Sequence, residues 1–302
     1  MTQPASPNWL RQEERSNNAI LKLMVWISLT MGRGISRIVL FGIAIYFVLF
    51  SPKARRASRK YLHRALDRWA EWSDGFRHVL YFASTVHDRI YLLNDRFDLF
   101  DIEVIGAEAL HASLEKQPGA LLIGAHLGSF EVLRAAGRGK AGLKIAMLMY
   151  EENARKINSA LEAINPKATE DIIALGKLDS MLEARDKLDQ GYLVGMLADR
   201  ALGNDPTVDY DFLGKAAAFP LGPFRVAAML RRPVFFMTGL YLGGNRYQIH
   251  FEQLADFSDT SRAERDAAIG AAQQHYVERL NHFCRLAPYN WFNFFDFWQK
   301  KS

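Results

Sequence analysis

Apolar and polar positions divide the chain into two unlike parts. The first runs to about residue 95 and is patterned in long stretches. Ile20 to Met31 is largely apolar and carries Lys22, and Ile38 to Phe50 (IVLFGIAIYFVLF) carries no charge at all. Residues 53 to 95 read as helical, with Trp69, Trp72, Phe76, Leu80 and Tyr81 at mixed helical spacing. From about residue 99, short apolar runs alternate with amphipathic stretches. The runs predict strands at Phe100–Ile105, Ala120–Ala125, Leu143–Tyr150, Asp171–Leu175 and Tyr192–Ala198. The amphipathic stretches predict helices at Glu108–Lys116, Ser129–Ala136, Asn153–Ile164, Leu178–Gln190, Pro220–Leu230 and Arg262–Arg285. Val234–Tyr241 and Tyr247–Glu252 read as paired strands turned by Gly243-Gly244-Asn245.

Strands alternating with helices imply crossover units, hence an α/β fold with a mostly parallel central sheet flanked by helices. Strands lacking internal polar residues suit a sheet covered on both faces. Functional groups then belong at the carboxyl ends of strands, where loops gather. That directs attention to residues 124–131, 150–155 and 199–220.

The N-terminal part changes this picture by adding a membrane. Its second apolar run is shorter than the roughly 20 residues of a spanning helix. Arg33 and Arg37 precede it, and Lys53, Arg55, Arg56, Arg59, Lys60 and Arg64 follow Pro52. Such a cluster beside an apolar helix marks a cytoplasmic, lipid-facing segment. A core helix with a solvated basic neighbour also fits, but a run apolar on every face favours the membrane. Spanning and lying in the interface both remain open. Residues 1–52 are read as a membrane-associated segment and 53–302 as the catalytic domain. The polar residues 1–19 do not resemble a cleavable signal. The formal charge of +5 suits an anionic membrane or an acidic protein, and falls short of a nucleic-acid signature. The single cysteine, Cys284, permits no intrachain disulfide and reads as buried and inert.

Candidate chemistry lies in Gly124-Ala125-His126-Leu127-Gly128-Ser129-Phe130-Glu131. His126 stands where an apolar strand ends, Gly128 or Ser129 can cap the next helix, and Glu131 falls in its first turn. A carboxylate on one ring nitrogen fixes the imidazole tautomer and raises the basicity of the other nitrogen. The free nitrogen then takes a proton from an acceptor hydroxyl, which attacks an activated ester directly. Simpler readings also fit: a satisfied polar residue at a strand end, a dipole complement and an ordinary turn. A metal is not expected, since the residues four before and four after His126 are Leu122 and Phe130. No cofactor is expected either.

This His-four-residues-acid pattern resembles the lysophospholipid acyltransferase superfamily. Its Glu variant resembles the branch of lipid A lauroyl/myristoyl acyltransferases. Further blocks are similar in order: Gly191 to Arg200, Asp211-Phe212-Leu213-Gly214 followed by Phe219-Pro220, and Pro288-Tyr289-Asn290-Trp291-Phe292. The resemblance covers roughly residues 10–298. It implies an αβα sandwich with an N-terminal membrane helix at the cytoplasmic face of the bacterial inner membrane. It also implies an acyl thioester donor on acyl carrier protein or coenzyme A, and a lipid acceptor. His126 would be general base and Glu131 its orienting partner. Arg155, Asp199, Arg200, Phe212, Gly214, Phe219 and Pro220 would contribute to substrate binding. The chain departs from that branch in reading Asp199-Arg200 where the branch usually has Asp-Gln. It also reads Tyr150-Glu151-Glu152 where the branch usually carries an Arg. These departures point away from a bis-phosphorylated lipid A acceptor, toward a lipid such as an ornithine lipid, a glycolipid or an aryl-polyene lipid.

Arg200 could hold a phosphate or form only a surface turn with Asp199. Phe212 and Phe219 could line an acyl tunnel or simply pack. The aromatic tail Trp291 to Trp298 could lie at the membrane interface or against the domain. Rival enzymes fit poorly. There is no Gly-x-Ser-x-Gly elbow for an α/β hydrolase and no Gly-rich phosphate loop for a nucleotide enzyme. A non-catalytic membrane-bound protein that retains the fold is the other reading.

Overall fold

The computed structural model describes residues 18–137, 143–151, 153, 159, 164–165, 171–175, 179–201 and 205–299. Strand β2 (Ala120–Gly124) is buried along its whole length, because an all-apolar run suits a strand covered on both faces. Its residues alternate between two cores. Leu121 and Ile123 face one, and Ala120 and Leu122 the other. The first core is closed by helices α2 (Pro52–Ala65), α6 (Ser180–Asp189), α7 (Gly222–Leu230) and α8 (Arg265–Leu286). The second is closed by α3 (Trp72–Leu92), α4 (Ala107–Lys116) and α5 (Phe130–Ala136). Truncating a fully buried residue such as Leu122 to Ala would cost about 2–5 kcal/mol.

β2 stands in the middle of a seven-stranded sheet, with order β1-β9-β8-β2-β5-β3-β4. The other strands are β1 (Asp101–Ile105), β3 (Ile145–Tyr150), β4 (Asp171–Leu175), β5 (Leu193–Leu197), β8 (Pro233–Gly243) and β9 (Arg246–Asp256). β8, β2, β5, β3 and β4 run parallel, while β9 is antiparallel to β8 and brings β1 with it. The mixed α/β fold read from the sequence is therefore present, including the β8–β9 hairpin turned at Gly244-Asn245. Most of the helix expected at Asn153–Ile164 lies outside the described residues.

Four boundaries differ. The two N-terminal apolar stretches belong to one element, α1 (Asn18–Phe50), kinked at Gly32, where φ is +77°. The helical region read over residues 53–95 is two helices, parted before Trp72, and Glu71 and Asp74 form a capping box at the start of the second. The segment expected as a loop around Phe212-Leu213-Gly214 is a hairpin of β6 (Thr207–Phe212) and β7 (Lys215–Pro220). Leu213 and Gly214 both have positive φ, 53° and 75°, the backbone of a two-residue hairpin turn. The signal was the alternation of Val208, Tyr210 and Phe212 with Thr207, Asp209 and Asp211. Pro220 ends that strand rather than starting the helix.

Candidate active site

His126 and Asp199 meet because β2 and β5 are neighbours. Their parallel register pairs Gly124 with Leu197, and two residues farther along each strand stand His126 and Asp199. His126 Nδ1 lies 2.9 Å from Asp199 Oδ1. The Asp199 carboxylate is fully buried and also accepts the His126 backbone N–H at 3.2 Å and the Trp291 indole N–H at 3.0 Å. Burial alone would push its pKa up. The His126 ring, Arg200 and the Trp291 donor overcome that and hold it well below the usual carboxylate range. An ionised carboxylate accepts only, so Nδ1 carries the imidazole proton and Nε2 keeps its lone pair. Nε2 has no hydrogen-bond partner among the described residues, and the His126 side chain is 37% exposed. The imidazole pKa lies below its ordinary value, chiefly through burial and then through the Arg200 cation, with Asp199 opposing both. The ring is thereby neutral at physiological pH and free to accept a proton.

The loop holding His126 is fixed from two sides. The Phe292 N–H donates to His126 O, and the Gly128 N–H donates to Asn290 O, each at 2.8 Å. On the sheet side the Ser129 N–H donates to Gly239 O at 2.8 Å, and the Thr238 hydroxyl donates to Leu127 O at 2.9 Å. Gly128 has φ +74°, and a Cβ there would stand 2.1 Å from Gly239 O, so no other residue fits between the loop and β8. Ser129 precedes α5, but its hydroxyl makes no cap hydrogen bond.

Glu131 is not the carboxylate on His126. It lies in the first turn of α5 and faces α3, where Arg89 Nε stands 2.7 Å from its Oε1. Glu131, expected as the partner of His126, contacts Arg89 instead, because strand register and not the four-residue spacing brings a carboxylate onto that ring. Asp199, read as a substrate contact, occupies that place, and Trp291 behind it was not read as part of the site at all. No pattern in the sequence says that β2 and β5 are adjacent, and adjacency is what pairs the two side chains.

The other expected residues scatter. Arg200 sits beside the dyad, its Nη2 donating to Phe292 O at 3.0 Å and its guanidinium 5.1 Å from the Phe295 ring centroid. Its Nε is buried and has no hydrogen-bond partner among the described residues. Phe212 and Phe219 are fully buried, 5.4 Å apart edge to face, and Phe212 packs on Trp291 at 5.2 Å. They wall the core behind Trp291 and offer no surface to a substrate. Pro220 is buried at the end of β7, with its carbonyl accepting from Gln273, and Gly214 is exposed at the hairpin turn. Arg155 lies outside the described residues. The aromatic tail packs on the domain, with Trp291 and Trp298 buried. Cys284 is buried, and burial pushes its thiol pKa up.

A search of curated proteins finds no match to the chain. A family model described as bacterial lipid A biosynthesis acyltransferase matches residues 77–300, a span that includes every residue of the dyad and its loop. The match covers most of the chain, and an acyl-transferring family agrees with a buried carboxylate that presents a neutral imidazole. The chain is an O-acyltransferase of the lipid A type and belongs to the bacterial lipid A biosynthesis acyltransferase family.

Proposed function

We propose that His126 is the general base of this acyltransferase and Asp199 its orienting partner. The acyl group moves from a thioester on acyl carrier protein to a lipid hydroxyl at the cytoplasmic face of the inner membrane. The observation that carries this reading is the 2.9 Å contact of His126 Nδ1 with Asp199, which leaves Nε2 unpaired at the exposed edge of the ring.

In this reading the acceptor hydroxyl gives its proton to His126 Nε2 as its oxygen bonds to the thioester carbonyl carbon. Asp199 stabilises the imidazolium formed. The tetrahedral oxyanion collapses, the carbon–sulfur bond breaks, and the thiolate takes the proton from Nε2. The products are an ester and a free thiol, and His126 is neutral again. Arg200 is the cation nearest the dyad, its Nε 3.9 Å from Asp199 Oδ2, and its charge favours an acidic group on donor or acceptor. An acidic carrier protein is favoured over coenzyme A by the formal net charge of +5. Glu131, paired with Arg89, holds α5 against α3 and acts on the loop only indirectly.

Purified protein with an acyl-carrier-protein thioester and a lipid acceptor provides the test. His126→Ala and Asp199→Asn should each lower kcat about 10²-fold or more, as general-base loss typically does. Glu131→Gln should lose distinctly less than Asp199→Asn. Full activity of His126→Ala would overturn the base assignment. A larger loss in Glu131→Gln than in Asp199→Asn would return the partner role to Glu131.

A further inference from the structure

We infer that α1 lies flat in the membrane interface, with its outer face in one leaflet, and does not cross the bilayer. This rests on the proposed membrane association and specifies its geometry. Hydropathy alone marks Met24–Phe50 as long and apolar enough to span. The contacts of that helix say otherwise.

α1 is docked along its length. Val25, Ser28, Ser36, Leu40, Ala44 and Val48 recur at three-, four- or eight-residue intervals on one face and are all buried. Midway, Arg33 forms a two-pronged ion pair with Asp88 of α3 at 2.8 Å for each bond, and Asp88 also accepts the Tyr247 hydroxyl at 2.7 Å. Arg33 and Arg37 both donate to Gly244 O in the β8–β9 turn, at 2.6 Å each. The Ser36 hydroxyl lies 2.8 Å from His87 Nε2 and 3.1 Å from the Tyr91 hydroxyl. A spanning α1 would carry α3 and this turn into the hydrocarbon. α3 holds Asp74, Arg77, Asp88 and Arg89, and charged groups at the bilayer centre are costly.

The opposite face of α1 has no such partners. Trp26 is 63% exposed and Ile38 71%, and Phe41, Ile45, Leu49 and Phe50 are exposed with them. A continuous apolar face of this length on a water-soluble surface is a liability, and in a leaflet it is an anchor. The patch extends beyond α1. Phe41 touches Phe76 at 6.3 Å, Phe76 stacks on Trp72 at 5.7 Å, and Trp69 and Trp72 are exposed beside it. Trp is enriched at the level of lipid headgroups. Lys53, Arg56 and Arg59 are exposed on the helix that follows, where anionic headgroups would meet them. On α3, exposed Phe82 touches Phe292 at 5.3 Å, and the Phe292 N–H holds His126 O. The exposed Phe82 ring therefore lies one residue from the loop that holds His126.

The test uses full-length protein on phosphatidylethanolamine–phosphatidylglycerol vesicles. Ile38→Cys, Ile45→Cys and Leu49→Cys are each labelled with an environment-sensitive fluorophore, and depth is read by lipid-borne quenchers. Cys284 is buried, so the unsubstituted protein is the labelling control. Equal depths at the three sites, within a few ångströms, are expected. A spanning helix would spread Ile38 and Leu49 by about 16 Å at 1.5 Å per residue, and that gradient would overturn the inference while keeping the protein on the membrane. Failure to sediment with vesicles would overturn the membrane reading itself. A second measurement does not depend on labelling: Ile38→Asp with Ile45→Asp should weaken vesicle binding about tenfold or more with thermal unfolding unchanged. Unchanged binding of that variant would remove this face as the anchor, and a stable vesicle-free dimer buried on it would replace the bilayer with a second copy.

Discussion

Two histidines stand on either side of Trp291, and they differ in that one is bonded at both ring nitrogens and the other at one. His78, in the middle of α3, is fully buried. Its Nδ1 lies 2.8 Å from the Ser58 hydroxyl and its Nε2 2.9 Å from Trp291 O, so a neutral ring is satisfied at both nitrogens. His126, in the loop after β2, is bonded at Nδ1 only, to the carboxylate that Trp291 also grips. Burial lowers the pKa of both. A depressed pKa is therefore not the mark of the site. The mark is one nitrogen held by an ionised partner and the other left open at an exposed edge.

The largest effect should come from exchanging these two rings. His126→Ala should lose about 10²-fold or more in kcat with its unfolding midpoint little changed, whereas His78→Gln should keep kcat within about tenfold and lose stability instead. The reverse pattern would mean that the open nitrogen has been misread. His78 also fixes a pH signature. Its imidazole titrates at about 4 folded against the ordinary 6.5, because burial penalises the charged form. Between those values the unfolded chain binds the proton and the folded chain does not. Stability is therefore full above the unfolded pKa and falls as the pH drops from 6.5 toward about 4. The depression corresponds to roughly 3 kcal/mol. Denaturant titrations across that range should show this slope in the unsubstituted protein, and a shallower one in His78→Gln.

Trp291 joins the two histidines, and its replacement should have a middling effect. Trp291→Phe keeps an aromatic ring in a fully buried place and removes the N–H that donates to Asp199. A hydrogen bond to a charged group contributes about 1.5–3 kcal/mol to stability, so the unfolding midpoint should fall. Without that donor the Asp199 carboxylate is more basic and pulls harder on an imidazolium. The acidic limb of the rate profile should then move to higher pH. A folding defect alone would reduce the active fraction and leave the limb where it was.

Much of this molecule was legible in the sequence, for identifiable reasons. An unbroken apolar run such as Ala120–Gly124 has few fates other than a buried central strand, and a histidine just past it belongs at the sheet's functional edge. The partner of His126 was harder to read. Glu131 is near in sequence and Asp199 is 73 residues away. Only the strand order, which places β5 beside β2, brings the distant acid closer than the near one. The β6–β7 hairpin was expected as a loop, although its alternation of polar and apolar positions carried a strand signal. Its turn, Leu213-Gly214, lacks the usual Asn-Gly or Asp-Gly signal. The docking of α1 was hidden for another reason. Arg33 and Arg37 read as flanks of a membrane segment, and no local pattern reveals that their partners are Asp88 and the turn at Gly244.

The smallest effect should come from Arg200, and it should appear in the position of a pH limb more than in its height. Arg200 lies against Asp199, with Nε 3.9 Å from Oδ2, and its charge disfavours a second cation on His126. Arg200→Gln removes that charge and leaves the burial of the ring, the larger cause of its lowered pKa, in place. The imidazole pKa should rise. Because the base works only when neutral, a higher pKa means that kcat/KM starts to fall at higher pH as acid is added. The change should be seen as a displaced acidic limb between about pH 5 and pH 8, the range where imidazoles titrate, with the plateau nearly kept. A plateau lost together with a weaker KM for the lipid acceptor would instead make Arg200 a direct contact of a phosphate or other acidic group on that lipid. An unmoved limb would show that the guanidinium charge is screened from His126, and that burial and Asp199 alone set its proton affinity.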